Sequence, residues 1–232
     1  VTNAIEIRTG KAERVELRAS ADGGLGVLVG YALKFNTLSR NLGGFVETIA
    51  PGAVDKSLAD SVRVMARTNH DNNWLLGTSD AGTLRLAVDG TGLLYEIDIP
   101  DTSAGRDTRA LAERGDLRYS SFAFHTPPNG DEWSLTPEGF PLRTLNALQL
   151  VDVAPVNDPA YLDTSTGLRS LAAVTGLDVA ALHAAEPATI RSLILGETPQ
   201  PPAQVDNHAG EASLAAQRNR ARVELARQAL TL

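Results

Sequence analysis

The sequence predicts a β-rich α+β fold, an antiparallel β-barrel core with flanking helices and a helical C-terminal tail. Three observations predict it. Short stretches of alternating or β-branched character recur from Ile5 to about Val156, turn signals at Gly43-Gly44, Asp89-Gly90 and Asn129-Gly130 separate them, and two helical segments with clear start and stop residues interrupt them. At 232 residues and 43% hydrophobic, the chain is long enough for one good core and a tail.

Taken in order, strands are expected at Val15 to Arg18, Leu25 to Phe35, Val62 to Met65, Leu84 to Leu86, Leu93 to Ile99 and Leu145 to Val153, with Arg118 to Phe124 strand-like as well. A short helix opens after Pro51 and covers Ala53 to Leu58. A longer one runs from an N-cap at Thr102 or Ser103 to Arg114 and stops at Gly115. Beyond Leu171 the character changes. Val179 to Leu195 reads as one helix, and Glu197 to Gln204 has the composition of an exposed Pro-rich linker. Gly210 to Leu232 is rich in alanine, leucine and arginine with no internal breaker, so a helix is expected. The divisions are therefore 1–172, 173–209 and 210–232. Arg218, Arg220, Arg222 and Arg227 face only Glu211 and Glu224, which makes the tail basic on an acidic chain. It is either a solvated helix packing on its own domain or another copy, or a segment that docks an acidic assembly partner.

Composition narrows the chemistry. Cysteine is absent, which removes disulfides, thiolate metal sites and a cysteine nucleophile, and fits a reducing compartment. A net charge of −7 and a pI near 5.1 argue against nucleic-acid binding by the whole surface. The N-terminus carries no apolar run of signal-peptide length, and no stretch of eighteen apolar residues occurs, so neither export nor membrane insertion is expected.

Three short segments carry potential catalytic groups: Thr68-Asn69-His70-Asp71, Arg118-Tyr119-Ser120-Ser121-Phe122-Ala123-Phe124, and Val151-Asp152-Val153-Ala154-Pro155-Val156. They offer a histidine, a serine and an acid. A serine nucleophile needs a base within hydrogen-bond reach, and the base needs an orienting acceptor. On a strand, Tyr119, Ser121 and Ala123 share one face and Ser120, Phe122 and Phe124 the other. The phenylalanines mark the core side, so Ser121 is expected to point to where substrate can reach and Ser120 to be packed. His183 and His208 lie in the helical and linker region. His125 follows Ser121 by four residues, roughly 13 Å along a straight strand, which leaves His70. Asp152 sits in an apolar run, where an unpaired carboxylate is costly to bury. Asp71 and Asp158 are competing acids, and Asp71 adjoins the histidine. His70, Asp71 and Asp152 are also conceivable cation ligands, although there is no His-Glu-x-x-His helix or comparable set.

The order and spacing of these segments, with Gly30-Tyr31-Ala32-Leu33-Lys34-Phe35-Asn36, Gly44 to Ala53, Gly82-Thr83-Leu84-Arg85-Leu86, Tyr95-Glu96-Ile97-Asp98, Pro100-Asp101-Thr102 and Pro159-Ala160-Tyr161, resemble the prohead proteases of tailed bacteriophages, the HK97 family, distantly similar in fold to the herpesvirus assembly proteases. There are departures. Ala123 stands where that family usually has glycine, Ser120 where a methionine is common, Ala154 where serine is frequent, and Asp152 where its third position is usually glutamate.

The resemblance implies a serine endopeptidase in which Ser121 is the nucleophile, His70 the general base and Asp152 the orienting acid. It implies as substrates the scaffolding protein, or the scaffolding segment of the major capsid protein, and the protease itself. The setting would be the assembling prohead in the bacterial host cytoplasm. No cofactor or metal is required, a homo-oligomer is possible, and neither nucleic acid nor membrane is an expected partner. The other class of reading is a non-catalytic capsid-assembly protein with the same fold. Such a protein would be expected to lack one of the three residues, and all three are present.

Overall fold

The computed structural model describes residues 4–9, 15–158 and 165–197. Twelve strands and five α-helices are found there. The strands are β1 (Glu6–Thr9), β2 (Glu16–Arg18), β3 (Val27–Lys34), β4 (Val46–Ile49), β5 (Met65–Arg67), β6 (Leu75–Thr78), β7 (Leu84–Val88), β8 (Gly92–Asp98), β9 (Tyr119–His125), β10 (Asp131–Leu135), β11 (Pro141–Leu145) and β12 (Gln149–Val156). The helices are α1 (Asp55–Ala59), α2 (Ser103–Arg114), α3 (Ser165–Thr175), α4 (Val179–Ala184) and α5 (Pro187–Ile194).

The architecture is β-rich α+β, as expected, but the strands form three sheets and no closed barrel among the described residues. Their orders are β1-β9-β12-β5-β6, β10-β11-β4 and β2-β3-β8-β7. Nor is pairing wholly antiparallel, because β11 pairs β4 and β12 pairs β5 in parallel. Alternation within single strands reports burial, not partner or direction, which is why the sequence could not separate a barrel from this arrangement.

The main core lies between the first and third sheets. Phe122, Phe124 and Val153 meet Leu28, Leu33, Tyr95 and Ile97 there, and all are buried. The helix at 103–114 ends as its sequence predicts: the Thr102 hydroxyl accepts from the Gly105 amide at 3.2 Å, and Gly115 closes the last turn with a left-handed φ of 81°.

The C-terminal part departs from expectation. Val179 to Leu195 is two helices instead of one, because Pro187 cannot continue α4 and instead starts α5 at its first turn. Helix α3 runs across residue 172. It brings Leu168 into a second small cluster with Leu42 and Phe45, against which Trp133 and Val179 pack, while Ser170 accepts from the Trp133 indole at 3.0 Å. The folded unit thus extends to Glu197. Of the linker expected at Glu197 to Gln204 only Glu197 is among the described residues, and the basic tail expected from Gly210 to Leu232 lies outside them.

Gly30 marks a close approach beneath β9. A Cβ there would lie 2.7 Å from the Tyr95 hydroxyl and 2.8 Å from Ser120 Oγ, two atoms already hydrogen-bonded to each other at 2.8 Å. Gly30→Ala is expected to lower stability by about 1–3 kcal/mol through overpacking, measured by denaturant melts.

Beside this core is a buried ionic cluster that fixes β1. Arg8 donates to Glu47 at 2.9 Å and to Glu6 at 2.8 Å, and Arg143 donates to Glu6 at 2.7 Å, to Glu47 at 3.0 Å and to Asp131 at 2.6 Å. Arg143 and Glu6 are essentially inaccessible. Burial alone would raise the Glu6 pKa, but hydrogen bonds and charge from Arg143, then the charge of Arg8, hold its carboxyl below its ordinary value of 4.5. A depressed carboxyl contributes stability in full above that value and loses it as pH falls through the folded pKa. Glu6→Gln should therefore melt lower than the parent at neutral pH, with the gap closing in acid, below about pH 4; thermal melts across pH would check it.

Candidate active site

Three elements of the first sheet build the site. Strand β9 carries Ser121, strand β12 carries Asp152, and a tight 3-10 turn directly after β5, Thr68–His70, carries the histidine. Ala154 lies opposite Ser121 across the antiparallel β9/β12 pair, and Met65 lies beside Asp152 across the parallel β12/β5 pair. The chain emerging from β5 therefore turns beside the two other groups. A register shift between Leu150 and Asp152 leaves Val151 as an extra residue, the kind of bulge that re-aims the side chain that follows it.

The histidine turn is conformationally costly. Asn69 has φ 54° and His70 φ 59°, left-handed values uncommon for any residue but glycine, although asparagine and histidine are enriched among the exceptions. Strain of this kind costs on the order of 1–3 kcal/mol and persists where surroundings over-determine it. Here they do. The Thr68 hydroxyl bonds to that of Thr108 on α2 at 2.7 Å, the Asn69 side-chain oxygen accepts from the Asn157 amide just after β12 at 3.1 Å, and the Asp71 amide closes the turn on the Thr68 carbonyl at 3.1 Å.

The geometry joins the three residues in one line. His70 Nδ1 lies 2.6 Å from Asp152 Oδ1, and His70 Nε2 lies 2.7 Å from Ser121 Oγ. With the carboxylate accepting the Nδ1 proton, Nε2 keeps its lone pair toward the serine hydroxyl. The second oxygen of Asp152 accepts from Arg67 at 3.0 Å. Asp152 is 1% exposed, so a buried carboxylate is satisfied on both oxygens. Arg67 was not singled out in the sequence. The available signal was the apolar run around Asp152, which demanded a partner without saying which.

The other candidates are placed elsewhere. Asp71 is turned to its own loop, where Oδ1 accepts from the Asn73 amide at 2.8 Å. His125 Nδ1 lies 3.2 Å from the Ala4 carbonyl, and Ser120 faces the core, bonded to Tyr95, whose phenol pKa is pushed up by burial. His183 lies on α4, and His208 is outside the described residues. Among the described residues no group of three or more His, Cys, Asp or Glu side chains is disposed to hold a metal ion. No helix there is long and apolar enough to cross a membrane.

One expectation is corrected. Ser121 lies on the face away from Phe122 and Phe124, but it is not open to solvent: its exposure is 0%. Strand β1 covers it, with Thr9 directly opposite and the Arg8 carbonyl 2.9 Å from the Ser121 hydroxyl, where it competes with His70 Nε2 for the single hydroxyl proton. Facing away from one core does not ensure exposure when a further strand can add to the sheet edge.

Residues 13–176 match the family described as caudovirus prohead serine protease. The prohead protease of Enterobacteria phage HK97 is 26% identical over 175 residues, 74% of this chain and 72% of that protein. Among solved structures, the bacteriophage T4 capsid assembly protease aligns with a TM-score of 0.45 at 13% identity, covering 66% of this chain and 96% of that one.

Proposed function

The chain belongs to the family of caudovirus prohead serine proteases, and we propose that it hydrolyses peptide bonds through Ser121, His70 and Asp152. Ser121 adds to the peptide carbonyl carbon as His70 Nε2 takes its proton. His70 then passes that proton to the leaving amine, and water, activated in turn by His70, releases the acyl group from Ser121. Asp152 keeps the imidazole in the tautomer that leaves Nε2 free and stabilises the imidazolium, while Arg67 holds Asp152. A direct contact of 2.6 Å supports Asp152 in this role despite the family's usual glutamate.

The substrates we assign are the scaffolding protein, or the scaffolding segment of the major capsid protein, cut inside the assembling prohead. The herpesvirus-like kinship of the fold belongs to the same proposal. The single observation that carries it is the continuous Asp152–His70–Ser121 hydrogen-bonded line within the family-matched residues. Co-expression with the phage's own capsid and scaffolding proteins, read by mass spectrometry of the assembled particles, tests it. Cleavage is expected with the parent chain and none with His70→Ala; cleavage undiminished in His70→Ala would sink the assignment.

A further inference from the structure

Strand β1 has three properties that belong together. It lies before residue 13, where the family match begins. It forms the edge of the five-stranded sheet by pairing antiparallel with β9, with Ile7 opposite Ala123, Arg8 opposite Phe122 and Thr9 opposite Ser121. And it sets a peptide carbonyl, that of Arg8, at 2.9 Å from the Ser121 hydroxyl, with the Thr9 hydroxyl 3.4 Å from the same oxygen. Adding an extended segment to an open sheet edge is a common way to bind a peptide, with main-chain bonds giving affinity and alternate side chains giving specificity.

Alternate side chains of β1 enter the ionic cluster. Glu6 and Arg8, two residues apart and on one face of the strand, are both buried. Glu6 is met by Arg143 and by the Thr126 hydroxyl at 2.7 Å, and Arg8 is met by Glu47. These partners come from β11, β4 and the segment after β9, all within the family-matched residues. A domain that only needed an edge strand there would be served by apolar side chains, which are cheaper to bury than ions.

We propose that the groove along β9 now filled by β1 is the substrate-binding site, and that Arg143 and Glu47 select an extended peptide with an acidic residue two positions before a basic one, cut after the basic residue. The chain's own Glu6-Ile7-Arg8 satisfies this pattern and, while seated, blocks the site. This deepens the proposed function and rests on it. Substrate access then scales with the fraction of molecules in which β1 has left.

The test uses the full chain and a fluorophosphonate serine probe, with the adduct mapped by peptide mass spectrometry. The double variant Glu6→Arg, Arg8→Glu sets like charges against Arg143 and Glu47 and so unseats β1 without touching the family-matched residues. Ser121 labelling is expected to be slow in the parent chain and faster by more than about tenfold in the variant. A synthetic peptide with the sequence of residues 4–9 should restore slow labelling of the variant, and the same peptide with Glu and Arg exchanged should not. Should the double variant fail to fold, judged by circular dichroism, Arg8→Ala replaces it, since Arg143 still pairs Glu47. Equal labelling rates in parent and variant would overturn the blocked site, and equal effects of the two peptides would overturn the charge selection. Absence of any Ser121 adduct in both forms, together with absence of capsid or scaffold cleavage, would instead remove the protease proposal and this one with it.

Discussion

Replacing Ser121 with alanine is expected to abolish cleavage of a co-expressed capsid or scaffolding substrate while the chain stays folded. Loss of the nucleophile from such a triad costs on the order of 10⁶-fold in kcat. The structural cost is small, because alanine leaves the backbone pairing of β9 with β1 and β12 intact. Ser120→Ala, one residue away, is expected to do the reverse. Its hydroxyl touches none of His70, Asp152 or Arg67 and instead bonds Tyr95 in the core at 2.8 Å. Removing it strands a buried phenol, at about 1–3 kcal/mol, so the melting temperature should fall while cleavage below that temperature persists. Substrate cleavage and thermal melts of the two variants decide the matter. An active Ser121→Ala protein beside an inactive Ser120→Ala protein would move the nucleophile to Ser120.

That contrast between adjacent serines was legible in the sequence, and the reason is physical. A period of two along a strand fixes which side chains share a face, and two phenylalanines on one face identify it as core. The helix at 103–114 was legible for a similar reason, since its capping threonine and its terminal glycine act locally. What could not be read depended on partners distant in the chain. The three open sheets, the two parallel pairings and the covering of Ser121 by β1 are choices of neighbour, and Glu6, Arg8, Glu47 and Arg143 give no sign individually that they meet. The break at Pro187 was different, because the residue stood in view inside the stretch from Val179 to Leu195 read as one helix; the pyrrolidine ring decides in favour of two helices.

Asp152→Asn is the second large effect expected, and it separates Asp152 from its sequence rival Asp71. Asp152 accepts from His70 Nδ1 at 2.6 Å and from Arg67 at 3.0 Å, so both its oxygens are acceptors. An asparagine supplies only one acceptor. If its oxygen faces Arg67, its amide donates to Nδ1, the imidazole proton moves to Nε2, and Ser121 loses its base; if its oxygen faces His70, the amide opposes Arg67 in a site that is 1% exposed. Turnover should fall by on the order of 10⁴-fold, the scale seen when the orienting acid of a serine protease is made neutral. Asp71→Asn keeps the oxygen that accepts from the Asn73 amide at 2.8 Å and changes only the distant field, so a loss within about tenfold is expected. Asp152→Glu should fall between them, since at 2.6 Å the contact is already direct and an added methylene must displace the strained His70 turn or Arg67. Cleavage rates for the three variants, each checked for folding by its melt, settle the assignment. Severe loss in Asp71→Asn beside near-normal turnover in Asp152→Asn would transfer the acid role to Asp71.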